Sequence, residues 1–239
     1  MITTAFLTSR GGRAVNEDTV RIRKQQDRLC AVVADGLGGH GGGQTASATA
    51  AEAILKEFSC TGLKNKEQLH SALTLANEAV LAKQTGSCVM KSTAVVLSLN
   101  EQMALWAHVG DSRLYQFTDG HLVFQTMDQS VSQMAVLMGE ITPDQIRFHE
   151  DRNRVLRALG SESSEPELHA AVPLTGRAQA FLLCSDGFWE YVYEDEMEQT
   201  LAYADTPDAW LAAMEQLLKQ RIQSGNDNYT AAAVWIRTR

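Results

Sequence analysis

Apolar and polar positions along the chain divide it into short apolar runs and longer periodic stretches. LCAVVAD (29–35) is an unbroken apolar run closed by Asp-Gly, the pattern of a strand buried on both faces. QTASATAAEAILKEF follows, with Ala46, Ala50, Ile54 and Phe58 four apart, which predicts an amphipathic helix. EQLHSALTLANEAVLAK sets Leu69, Leu73, Ala76 and Val80 on one helical face, so the two helices read as a pair. STAVVLSL, MALWAHVGD, SRLYQF and HLVFQT then read as strands, the last two joined through a TDG turn.

Residues 130–159 read as mostly helical. Thr142-Pro143-Asp144-Gln145 fits a capping box with proline at the first helical position. AQAFLLCSDG is another buried strand. EDEMEQTLAYA and PDAWLAAMEQLLKQRI are helices, the second with Trp210, Met214, Leu217 and Leu218 on one face. NYTAAAVWI is a closing strand. The order of strands, two helices, strands, helices and strand does not alternate βαβα. It predicts an α+β fold with largely antiparallel sheet.

Composition narrows the function. The 239 residues are 44% hydrophobic and 21% charged, with a formal net charge of −8. No Lys/Arg run exceeds two residues, so neither a nucleic-acid nor a membrane partner is expected. No apolar stretch approaches a signal core or a membrane span, which predicts a cytoplasmic protein. Cys30, Cys60, Cys88 and Cys184 form no C-x-x-C pair. Cys30 and Cys184 lie in apolar runs and read as buried free thiols. With few prolines and no Gly/Ser linker, residues 1–239 read as one domain.

The strand ends carry the chemistry. AVVADG ends on Asp35, AHVGDSR on Asp111 and FLLCSDG on Asp186, while Asp227 stands just before the closing strand. Glu17 and Asp18 precede TVRIR. Asp-Gly after a strand is ordinary turn chemistry. Five acidic strand ends would instead gather along one edge if the sheets stack. There is no H-E-x-x-H and no Cys/His quartet, so zinc is disfavoured. Aspartate oxygens with water suit Mg²⁺ or Mn²⁺. Two such ions sharing a carboxylate can hold a hydroxide between them and orient a phosphoryl group for attack.

VVADGLGGHGGG (32–43) packs six glycines into its last eight positions. It is not a Walker loop, having no lysine. A G-x-G-x-x-G match can be forced on it, but no acidic residue closes a strand about 20 residues on. The metal reading uses both features of the stretch: the Asp35 carboxylate, and a Gly36 carbonyl free to turn toward an ion.

Taken together, RAVNED (13–18), VADGLGGHGGG (33–43), STA (92–94), HVGDSRLY (108–115), GEITPDQ (139–145), RNRVLRALG (152–160), LCSDG (183–187) and NDNYTAAAV (226–234) resemble the PPM-type, or type 2C, metal-dependent protein serine/threonine phosphatases. The resemblance runs from about residue 5 to residue 237. It implies a four-layer α-β-β-α sandwich of two antiparallel sheets flanked by pairs of helices. It implies hydrolysis of phosphoserine and phosphothreonine in proteins, in opposition to a Ser/Thr kinase, by a monomer of bacterial type. Asp35 would bridge two Mn²⁺ or Mg²⁺ ions, with the Gly36 carbonyl on one and Asp186 and Asp227 on the other. Glu17 and Asp18 would hold metal-bound waters, and Arg13 would meet the phosphate. Asp111 with Asp186 offers a third, weaker metal site. Residues 131–160 match a mobile flap.

Two positions depart from the family pattern. DQS (128–130) stands where DHS is frequent, and Leu37 stands where many eukaryotic members carry a histidine. The proton donor to the leaving group is therefore open, with His40 as the candidate imidazole. His108 reads as a core histidine, and His70, His121, His149 and His169 as surface residues. EDEME (194–198) reads as a solvated helix start favoured by the helix dipole.

Overall fold

The computed structural model describes residues 1–38, 42–174 and 177–236. Its strands are β1 Ile2–Ser9, β2 Thr19–Gln25, β3 Arg28–Ala34, β4 Gly36–Leu37, β5 Lys91–Ser92, β6 Ala94–Leu99 and β7 Met103–Val109. They continue as β8 Arg113–Thr118, β9 His121–Gln125, β10 Glu167–Leu168, β11 Val172–Pro173, β12 Gln179–Cys184 and β13 Tyr229–Ile236. The helices are α1 Gly42–Thr61, α2 Lys66–Leu81, α3 Val131–Leu137, α4 Asp186–Trp189, α5 Glu194–Tyr203 and α6 Pro207–Arg221.

One sheet runs β1-β13-β12-β8-β9 and the other β10-β7-β6-β3-β2, with β11 also on β7. The paired strands are antiparallel. Strand alternation sorts the apolar runs into three cores. Cys30 and Val32 of β3 face α1 and α2, meeting Ala46, Ala50, Ile54, Phe58, Leu73 and Val80. Ala31 and Val33, one residue out of phase, face the other sheet and meet Phe181, Leu183, Ala232 and Val234. The outer face of that second sheet, through Phe117, Leu182 and Ala233, packs on Trp189, Met197, Trp210 and Met214. Helix pair, sheet, sheet and helices thus form the four layers the family pattern implies.

The TDG turn is a tight hairpin, with Asp119 at φ 51° and Gly120 at φ 87° as a primed turn needs. Residues 130–159 are not mostly helical. They hold the seven-residue α3 and a 3₁₀ turn at Pro143–Phe148, and the rest is irregular. Gly139, at φ 75°, ends α3 early. The capping box is present, with the Thr142 N–H donating to Gln145 Oε1 at 2.8 Å, and it opens the 3₁₀ turn rather than an α-helix. Strand β1 carries no clear alternation; its full-length pairing with β13 makes it a strand. Leu217 is only half-buried, and Leu211 takes the core position instead.

The acid run at α5 is engaged rather than merely solvated. Glu194 accepts from Arg147 Nη2 at 2.6 Å, and Glu196 pairs with Arg221. His169 is not a surface residue: its ring stacks on Trp106 and His108 and sits edge-on to Phe124. His108 is buried, as read, with Nε2 2.8 Å from the Met127 carbonyl. Cys30 and Cys184 are buried thiols, and all four cysteines are free.

Candidate metal centre and substrate cleft

Stacking the sheets brings the ends of β3, β7 and β12 and the start of β13 to one edge. A cleft of about 430 Å³ opens there, lined by Arg13, Glu17, Asp35, Gly36, Asp111, Asp186 and Asp227 among others. Asp18 is buried beneath it, its Oδ2 accepting from Ser185 Oγ at 2.7 Å. Seven of the nine residues singled out for the site therefore share one cleft and an eighth underlies it. The ninth, His40, lies outside the described residues.

Local hydrogen bonds hold each acid in place. Thr93 returns to Asp35 twice: its Oγ1 accepts the Asp35 N–H at 3.0 Å, and its N–H donates to the Asp35 carbonyl at 2.9 Å. Thr93 Oγ1 also lies 2.7 Å from Ser112 Oγ, which ties the Asp35 turn to the Asp111 turn. Gly110 takes φ 95°, and a Cβ there would strike Thr93. Asp186 opens α4 and accepts the Gly187 N–H at 2.6 Å. Gly36 is needed for close approach: a Cβ would meet the Gly43 carbonyl oxygen at 2.1 Å. The Gly36 carbonyl and the Glu17 carboxylate both crowd the point where a Gly43 side chain would begin.

Several supporting residues carried no signal of their own in the sequence. Asn228 accepts the Glu17 N–H through Oδ1 and donates through Nδ2 to the Arg10 and Val15 carbonyls, pinning the 10–17 loop to β13. Arg113 grips Asp128 with two bonds of 2.8 and 2.7 Å, both side chains buried. Its guanidinium lies 3.5 Å over the Trp189 ring, whose Nε1–H donates to the Asp111 carbonyl at 2.9 Å. Gln129, the departure within DQS, exchanges bonds with Gly110 in both directions. Amphipathic patterning sees none of these, because polar residues inside strands and turns look alike until their partners are known.

The electrostatics are those of acids crowded out of water. Burial pushes the Asp35 and Asp186 carboxyls well above the usual range, and the neighbouring aspartates push them further. Asp111 is pushed up to about 7 by burial and by Asp128, with Arg113 opposing. Asp18 is pushed up to about 6 by burial, against its hydrogen bond from Ser185. Arg13 answers part of this charge, its Nη2 standing 2.8 Å from Asp227 Oδ2.

Hard divalent cations fit this donor set. Every acid in the cleft offers oxygen, and no described Cys or His lines it. The buried Asp111 Oδ1 has no hydrogen-bond partner, a costly arrangement that a cation would relieve. Among the described residues no three acids, histidines or cysteines close into a ready-made cage. The neighbouring aspartates raise the Asp35 carboxyl, and Arg13 pairs with Asp227.

Known proteins share this chain's pattern. The family profile described as Protein phosphatase 2C matches residues 9–227. The serine/threonine phosphatase stp of Listeria monocytogenes is 31% identical over 239 residues, covering 96% of this chain and 94% of its own length. The crystal structure of the Mycobacterium tuberculosis serine/threonine phosphatase PstP/Ppp is 29% identical and superposes with a TM-score of 0.83, covering 99% of each chain. The catalytic domain of the phosphatase PstP in complex with two manganese ions is 27% identical, with a TM-score of 0.81 over 99% of each chain.

Proposed function

The chain belongs to the protein phosphatase 2C family of metal-dependent serine/threonine phosphatases, and on that premise we propose how its cleft works. Asp35, the Gly36 carbonyl, Asp186 and Asp227 would hold two Mn²⁺ or Mg²⁺ ions, Asp111 with Asp186 would offer a third, weaker position, and Glu17 and Asp18 would support the bound water. The observation that supports this reading is the convergence of these acids on one cleft with Arg13, Asp111 and Asp186 buried and the neighbouring aspartates raising the Asp35 carboxyl.

When bound, such cations acidify water at neutral pH and offset the charge of the phosphoryl oxygens. Arg13 gives up Asp227 and presents its planar fork to the phosphate. Both side chains are substantially exposed, so their pair is worth less than about 1 kcal/mol and yields easily. The serine or threonine alkoxide needs a proton as it leaves. Leu37 has none to give, and His40 is assigned that step. Trp189 and Asn228 keep the two sides of the cleft in register through their backbone contacts.

The substrates are phosphorylated proteins, among them a Ser/Thr kinase or its targets. Residues 1–239 act as one catalytic domain and as a monomer, with 131–160 as the flap beside the cleft. No helix among the described residues is long and apolar enough to cross a membrane. The net charge of −8 disfavours nucleic acid, and the proposed site of action is the cytoplasm. A phosphothreonine peptide with Mn²⁺ tests the reading. Phosphate release that stops on adding EDTA supports it. Release that continues in EDTA, or none with Mn²⁺, overturns it.

A further inference from the structure

A second concavity, a groove of about 720 Å³, runs from the cleft and shares Arg13, Asn153, Asp186 and Asp227 with it. It is also lined by Phe148 of the 3₁₀ turn, by Glu190 and Tyr191 and by the 223–226 loop. The chain that carries a phosphoamino acid seated in the cleft has to leave along an adjoining surface. We propose that this groove receives the polypeptide flanking the phosphorylated residue and that Phe148 selects an apolar side chain there. The inference rests on the phosphatase reading above.

Charge selection is closed off by internal pairing. Arg152 Nε donates to Glu190 at 2.9 Å, Arg147 is bound to Glu194, Arg221 to Glu196 and Arg13 to Asp227. Arg147, Arg152 and Arg221 are therefore compensated, Arg13 is taken up by the phosphate, Glu190 is paired and Asp186 belongs to the metal site, so a charged flank finds no free partner among them. Phe148 is the opposite case. It is 74% exposed, yet its neighbours are fixed: Ile146 is buried in the core, and Arg147 also bonds the Val192 carbonyl. A large exposed aromatic ring whose neighbours are tied to the core, beside a reaction centre, suits anchoring a partner's apolar side chain.

Phosphothreonine peptides of one length, flanked by Leu, Glu or Lys, test the inference, with p-nitrophenyl phosphate as the substrate that has no flank. The wild-type protein is expected to show the lowest KM for the Leu-flanked peptide. Phe148→Ala raises that KM about five- to twentyfold with kcat little changed. Its KM for p-nitrophenyl phosphate and for the charged-flank peptides stays within about twofold. Phe148→Tyr restores most of the Leu preference. Equal KM values across the wild-type peptides, or a matching rise on p-nitrophenyl phosphate, overturns the selection while leaving the phosphatase reading intact. No turnover of any peptide with Mn²⁺ removes both.

Discussion

Arg13 Nη2 rests 2.8 Å from Asp227 Oδ2, so the guanidinium assigned to phosphate sits on a carboxylate assigned to metal. The two assignments compete for one group, and the competition has a sign. Arg13→Ala removes a cation from beside the metal ligands and a donor from the phosphate. Titration calorimetry is expected to show Mn²⁺ affinity unchanged or tightened. Steady-state kinetics are expected to show kcat/KM on a phosphopeptide falling about ten- to a hundredfold, the worth of charge-assisted bonds to phosphate. Weaker Mn²⁺ binding in the variant would make Arg13 a support of the metal site instead.

The raised carboxyls predict how stability follows pH without metal. Asp111 at about 7 and Asp18 at about 6 keep protons in the folded chain that the unfolded chain has already released. Folded chains then bind more protons, so these groups make stability fall as pH rises from about 4 to 7. Buried His108, its value lowered by desolvation, acts in the opposite direction as pH falls. Comparing wild type with Asp111→Asn isolates the carboxyl. In EDTA at pH 8 the variant should be more stable by roughly 1–3 kcal/mol in urea melts, and at pH 5 the gain should shrink. A variant no more stable at pH 8 would contradict the burial argument.

Asp128 and Arg113 predict a purely structural loss. Asp128→Ala leaves a buried guanidinium without its carboxylate, a change worth about 3–5 kcal/mol. A melting temperature lowered by several degrees is the expected result. An unchanged melt would mean that the stacking on Trp189 and the neighbouring Glu194 suffice for Arg113.

The layers were legible because strand and helix periods are local. The apolar run 29–34 declared a strand buried on two sides, and residues 46–58 and 69–80 declared helix faces, all seen in the cores. The acids were legible because each stands at one end of a strand-like run. The 130–159 segment was not, because its conformation is set by contacts far away in the chain, Arg147 to Glu194 and Arg152 to Glu190. Asn228, Trp189 and Gln129 gave no sign of their partners for the same reason: their roles are hydrogen bonds to turns 19 to 218 residues away. Gly36 was noticed for the freedom of its carbonyl, and the structure adds the Gly43 backbone that leaves a side chain no room.

His40 is tested by choice of leaving group. p-Nitrophenolate departs without a proton, whereas a serine or threonine alkoxide does not. His40→Ala should lower kcat on a phosphopeptide far more than on p-nitrophenyl phosphate, and flatten or shift the basic limb of the phosphopeptide pH profile. Equal losses with an unchanged profile would leave His40 a structural residue of the glycine loop. This kcat effect is separable from the KM effect expected of Phe148.

The role proposed for the acids of the cleft is to hold the catalytic cations. The most direct measurement is kcat of Asp186→Asn and Asp227→Asn on a phosphothreonine peptide at saturating Mn²⁺, with folding checked by circular dichroism. Each substitution removes one charged oxygen donor and relieves repulsion, so the fold should persist while kcat falls more than about a hundredfold. Near-wild-type turnover in either folded variant at saturating Mn²⁺ would contradict the account.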